Sequence, residues 1–182
     1  MAIEPQEILD YWFSEPVNSH WFASTPELDQ DIGDRFAHIW GLAAEGQLDH
    51  WMTSAEGCLA LVILLDQFPL NMFRGESKSF QTEAQARAVA GFALKREFDR
   101  QLNDVQRAFL YMPYMHSEAL ADQDLSVELY EKAGLKDNLS FARHHREIVR
   151  RFGRFPHRNA ILGRTSRPEE LEYLASDEAF TG

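Results

Sequence analysis

CLALVILLDQFP, residues 58–69, is the stretch that decides the fold. From Cys58 to Leu65 every side chain is apolar, so a helix here has no polar face and must be buried. Thr53-Ser54-Ala55-Glu56 supplies its start signal, and Pro69 predicts an end near Phe68. The apolar run is too short to span a bilayer. At 100° per residue, Asp66 falls on the same side as Leu59 and Val62. It would also lie near the helix C-terminus, where the dipole opposes negative charge. An ionised carboxylate left unpaired there costs several kcal/mol. A cation or hydrogen-bond donor is therefore expected at Asp66, as a structural ion pair or as part of a site.

The flanking segments are helical as well. Pro5 opens QEILDYWF, and Thr25-Pro26-Glu27 opens a segment that Gly46 stops. In that segment Leu28, Ile32, Phe36, Ile39, Trp40 and Ala43 share one stripe. The chain from Asn71 to Gln81 reads as loop, with Thr82 capping the next helix. Asn103 or Asp104 caps DVQRAFLYM, which Pro113 kinks or ends. Asp124 opens LSVELYEKAG, and Asn138 or Ser140 opens FARHHREIVRRFG. FPHRN reads as a turn, and Ser166 caps a last helix. No stretch alternates with period two, so the fold class is all-α, with antiparallel helical hairpins in one domain over residues 1–182. QFPLNMFRG (67–75) and RFPHRNAILGR (154–164) echo each other faintly.

Composition narrows the function. With a single cysteine, Cys58, the chain can form neither an internal disulfide nor a CxxC zinc site, and a reducing cytoplasmic compartment fits. The start, MAIEPQEILDYWF, lacks the pattern of a signal peptide. The net charge is -11, yet residues 143–167 hold eight arginines, three histidines and one acid. That island is +7, leaving -18 on the remainder. An acidic body repels nucleic acid and anionic membrane, so neither is expected as a partner. The island is left to pair with the chain's own acids or to hold a small anion.

GxGxxG, Walker, HExxH and GxSxG motifs are absent, so the candidates rest on placement. If the helix runs through Pro113, His116 joins the stripe of Val105, Phe109, Met112 and Ala119. His145 sits among Phe141, Ile148, Val149 and Phe152, while Arg143, Arg146 and Arg150 face outward. Arg154, His157, Arg158 and Arg164 surround proline and glycine turns, where guanidinium groups can converge on a carboxylate or phosphate. The bland reading has these arginines stapling helices through Asp66, Glu118 and Asp122. His116, Glu118, His144, His145, His157, Asp66 and Asp122 could ligate a metal, but the nearby arginines disfavour one. Neither metal nor cofactor is expected. Cys58 is expected to be inert, and the four tryptophans fit helix packing.

LALVILLDQFPLNMFRG (59–75), FLYMPYMHSEALADQ (109–123) and FARHHREIVRRFGRFPHRNAILGR (141–164) resemble a bacterial family, number nine-two-four among the domains of unknown function. Tyr11-Trp12-Phe13 matches its opening mark. The resemblance implies a TPR-like helical array and no settled activity. It also implies an arginine where this chain has Leu70. The first expectation is a site that binds a small anionic molecule, with its processing left open. In that site Asp66, His116, Glu118 and His145 are the catalytic candidates. Arg74, Arg154, His157, Arg158, Asn159 and Arg164 are the ligand-binding candidates. The alternative is a TPR-like protein-interaction module in which the arginines are structural. The oligomeric state is not legible.

Overall fold

The computed structural model describes residues 3–180. Those residues are helical throughout, without a strand. They form two compact units, one comprising residues up to Arg74 with Lys78–Pro113, the other Gly75–Ser77 with residues from Tyr114 onward.

The first unit is built around the apolar stretch. Ser54 caps α3 (Ala55–Val62) by accepting from the Gly57 N–H at 3.0 Å. Only glycine fits at position 57, because a Cβ there would lie 1.9 Å from the Trp51 carbonyl oxygen. α1 (Pro5–Trp12) and α5 (Glu83–Lys95) pack on α3, and α2 (Pro26–Ala44) packs on α4 (Phe68–Met72). Phe68 is the hub of the aromatic core, 4.9 Å from Phe36 and 5.6 Å from Trp12 between ring centres.

The predicted stop at Phe68 is wrong. The helix runs on to Met72, because a π-helical turn, Ile63–Gln67, carries the backbone across the proline. Within it the Phe68 N–H bonds the Ile63 carbonyl, five residues back. Pro69 has no N–H, so the Leu65 carbonyl four residues before it loses its helical donor. Thr82 supplies a replacement, its hydroxyl donating to that oxygen at 2.6 Å while accepting from Trp40 Nε1 at 3.2 Å. Thr82 does sit at the start of α5, but its hydroxyl makes no capping bond there. The Phe-Pro of the weak internal echo is thus mid-helix here, whereas Phe155-Pro156 opens a 3-10 turn. The whole Ala55–Met72 helix is long and apolar enough to cross a membrane, but 83% of it is buried inside the protein, as befits a core helix.

Other predicted boundaries moved by a few residues. Part of the expected loop is a 3-10 turn, Ser77–Phe80. α6 (Asp104–Met115) runs through Pro113 and is capped reciprocally by Asn103 and Gln106. α7 (Leu120–Ala133) and α8 (Lys136–Phe152) begin up to five residues earlier than read, and pack together as a hairpin turned at Gly134. Gly153, with φ 73°, ends α8 in the left-handed conformation. α9 (Pro168–Leu174) is capped from Arg167 and not from Ser166, whose hydroxyl accepts from Asn159 at 3.1 Å.

Glu170 ties the end of the second unit together. Its side chain is 0% exposed. Arg154 grips it bidentately at 2.7 and 2.8 Å, the Arg167 N–H and guanidinium add 2.8 and 2.9 Å bonds, and Asn159 completes the set at 3.2 Å. The Arg154 hydrogen bonds foremost hold its carboxyl far below the usual range.

Substitutions at Thr82 and Glu170 test these arrangements, with one at Glu147 as a control. Thr82→Val keeps the shape but leaves the Leu65 carbonyl and Trp40 Nε1 without this partner. Urea denaturation should show a loss of about 2–4 kcal/mol, and Thr82→Ser should restore most of it. Glu170→Gln should cost roughly 3 kcal/mol, whereas Glu147→Gln, which breaks an exposed pair with Arg150, should leave the denaturation midpoint nearly unchanged.

Candidate functional site

The basic segment folds around Glu118. Arg164 meets its two carboxylate oxygens at 2.7 and 2.9 Å, and the Phe155 N–H adds a third bond at 2.7 Å. Burial works to raise the Glu118 pKa, but Arg164 and the Phe155 N–H outweigh it and hold the group ionised below its usual range. Arg164 also donates to Asn159 Oδ1 at 3.0 Å and to the Phe155 carbonyl at 3.1 Å. Arg158 is buried; it donates to the His116 carbonyl at 3.0 Å and lies 4.9 Å over the Phe155 ring.

The turn that carries His116 and Glu118 is braced from α7. Gln123, fully buried, donates to the Met115 and Ser117 carbonyls at 2.7 and 2.6 Å, closing the C-terminal end of α6. The Ser117 hydroxyl donates to Asp122 at 2.6 Å. His116 therefore stands just past the end of α6 and not on its stripe, whose expected members Val105 and Ala119 are exposed.

His145 points inward from α8, with Ile148, Val149 and Phe152 buried beside it, while Phe141 is exposed. Its Nδ1 lies 2.8 Å from the Phe141 carbonyl oxygen. Nδ1 therefore carries the proton, and Nε2 of the neutral ring is an acceptor. His145 and His157 share one aromatic wall. His145 is 5.6 Å from Phe155 and 4.5 Å from Phe180; His157 is 5.6 and 5.1 Å from the same two rings. The Tyr173 hydroxyl holds Phe180 in place, accepting from its N–H at 2.8 Å. Burial foremost pushes both imidazoles down to about 4; the Arg158 guanidinium adds to the effect at His157, and the crowding of other imidazoles does so at His145. His157 Nδ1 is buried and has no hydrogen-bond partner.

Two of the sequence candidates lie in the first unit. Asp66 is 1% exposed inside the π turn and accepts from Gln67 Nε2 at 2.7 Å. The helix end expected to repel it is absent, since the helix continues to Met72. Arg74 pairs with Asp29, at 2.7 and 3.1 Å, alongside Asn71 and Ser24, each at 2.7 Å. Those bonds outweigh burial and lower the Asp29 pKa. The second unit thus gathers His116, Glu118, His145, His157, Arg158, Asn159 and Arg164, while Arg154 is bound to Glu170. Sequence reasoning missed Gln123, Glu170 and Phe180. Glu170 did carry a signal, since Arg167-Pro168-Glu169-Glu170 places proline first and an acid third in a helix. Among the described residues no group of three or more His, Cys, Asp or Glu could hold a metal ion. Cys58 is fully buried, and burial pushes its thiol up to about 11, so it is unreactive.

A family model described as a bacterial protein of unknown function, DUF924, matches residues 8–178. No curated protein matches the chain. Among solved structures, a protein of unknown function from Agrobacterium tumefaciens, ATU0120, is similar at 41% identity and a TM-score of 0.88. The similarity covers 94% of this chain and 96% of that one. The chain belongs to the DUF924 family of bacterial proteins of unknown function.

Proposed function

We propose that the second unit binds a small anionic molecule against His116, His145, His157 and Arg158, with Arg154 and Arg164 serving as scaffold. The observation that carries this reading is the pair of neutral imidazoles on one aromatic wall, His145 buried and His157 half-buried, close to Arg158, with the buried His157 Nδ1 lacking a partner. A buried ring nitrogen without a hydrogen bond is costly, and a ligand would satisfy it. The Arg158 guanidinium, which adds to the depression of His157, also favours an incoming negative group. An anion bound there would raise both pKa values, and His145 Nε2 would be available to exchange a proton with it. Glu118, held by Arg164, orients the turn. A second reading, an interaction module, is favoured by an open aromatic groove on the first unit.

The histidines set a pH dependence. Each is depressed from 6.5 to about 4, so between those values the unfolded chain binds protons that the folded chain does not. Their contribution to stability is complete above about pH 6.5 and is lost as pH falls toward 4. Denaturation near pH 5 should take up about two protons through these rings, one fewer in His157→Phe, which keeps an aromatic ring in place.

The ligand reading is tested with inorganic phosphate and citrate in a thermal-shift titration with histidine NMR. An anion present at about 100 times its Kd stabilises by about 2.7 kcal/mol, and the His145 and His157 titrations should move upward with it. His157→Phe should abolish both effects while the fold persists. Histidine pKa values that stay put while the protein is saturated with anion would overturn the assignment, as would a failure of both anions to raise the melting temperature.

A further inference from the structure

The first unit carries a groove of about 1020 Å³ between the chain's start and the beginning of α6. Leu9, Phe13, Trp21 and Val105 give it an apolar lining, and Asp10 and Asp104 are exposed along it. Its two rings, Phe13 and Trp21, meet nearly edge to face, 5.5 Å apart at 84°, and Trp21 is backed by the buried Phe109 at 4.7 Å and 75°. Beside them Phe22 is 78% exposed. An exposed phenylalanine that adjoins a concave apolar lining enlarges the apolar surface open to a partner.

Charge indicates what covers it. Several half-buried rings elsewhere in this unit have a cation of the chain's own over them: Arg35 over Tyr11, Lys78 over Phe73, Arg96 over Phe92. Among the described residues none lies over Phe13, Trp21 or Phe22. Arg107, which also lines the groove, donates to the Asp99 and Leu102 carbonyls, each at 3.1 Å, and is 3.6 Å from Asp104. Residues 1–56 contain a single Lys or Arg, Arg35, against eleven acids. Open aromatic faces beside carboxylates in an acidic field attract a cation. The groove is open and at the upper size of a small-molecule pocket, which suits a chain segment.

We propose that this groove docks a short peptide segment of a partner protein that presents Lys or Arg beside apolar side chains. The inference rests on the interaction reading and adds the chemistry of its occupant. The cation would lie against Phe13 or Trp21 with Asp10 and Asp104 as counter-charges, while the apolar side chains cover Leu9, Val105 and Phe22.

The test is calorimetric titration of the full chain with acetyl-Leu-Lys-Phe-Arg-Leu-amide, and with the same peptide carrying norleucine for Lys and Arg. Binding should fall in the sub-millimolar range at low salt and weaken as salt is raised. It should drop about tenfold or more with the norleucine peptide and with the Asp10→Asn, Asp104→Asn double variant, since a single paired charge is worth about that much. Equal binding of the two peptides overturns the cationic occupant and leaves the interaction reading standing. Binding of neither overturns both. Tetramethylammonium binding as tightly as the peptide overturns the peptide in favour of a small organic cation.

Discussion

A carboxylate taken wholly out of water must have its lone pairs occupied, and Glu170 imposes that condition on the second unit. Its donors come from Arg154, Asn159 and Arg167, so the segment between α8 and α9 cannot drift without breaking a bond to it. Once Asn159 is fixed, its other end receives Arg164, and Arg164 closes on Glu118. Glu118 in turn fixes the Phe155 N–H, which places the ring against which His145, His157 and Arg158 all rest. One buried acid therefore sets the positions of the side chains that give the unit its chemical character. Removal of a single partner from such a chain strands a desolvated charge, which is why the order of assembly matters more than the number of ion pairs.

The concentration of arginine in an acidic protein follows from the same geometry. On the outer face of α8, Arg143 and Arg146 reach back to Glu131 and Asp124 on α7, and Arg150 pairs with Glu147. These exposed pairs contribute little each. Past Gly153 the arginines turn inward and take up buried or half-buried acids. Arg151 and Arg158 lie over the Phe152 and Phe155 rings. Lysine could not replace Arg154 or Arg164, because a point charge cannot engage both oxygens of a carboxylate in a plane.

Much of this was legible before any coordinates. Helix-start residues such as Thr25 and Ser54, the stop at Gly153 and the burial of Cys58–Leu65 follow from local rules, and the structure obeys them. His145 was also visible as an inward polar residue on an apolar stripe, and the arginines as a basic cluster around turns, whereas His116 was read onto a stripe that it does not join. Partners were not legible. Nothing local says that Arg74 belongs to Asp29, 45 residues away, or that Arg154 belongs to Glu170 in place of a ligand. The error at Pro69 has the same origin. Proline forbids one hydrogen bond and not a helix, and whether the helix continues depends on a donor arriving from elsewhere, here Thr82.

That donor explains why a π turn is tolerated in the best-packed helix of the chain. An i→i−5 turn inserts one residue, so the side chains beyond it are rotated by about 100° from the α-helical register. The rotation lets Phe68 lie in the aromatic core while Asn71 reaches Asp29 at 2.7 Å, with Arg74 following to the same carboxylate. In a regular α-helix from Ala55 onward those residues would face about a quarter-turn away. The proline then costs little, because the π register has already replaced the α-helical ladder at that point and Thr82 takes the freed Leu65 oxygen. The polar pair Asp66-Gln67 sits inside this irregular turn, where a side-chain hydroxyl holds the Leu65 oxygen in place of a ladder bond. The most apolar helix therefore owes its continuity to a few polar contacts, and its exact path to a single threonine.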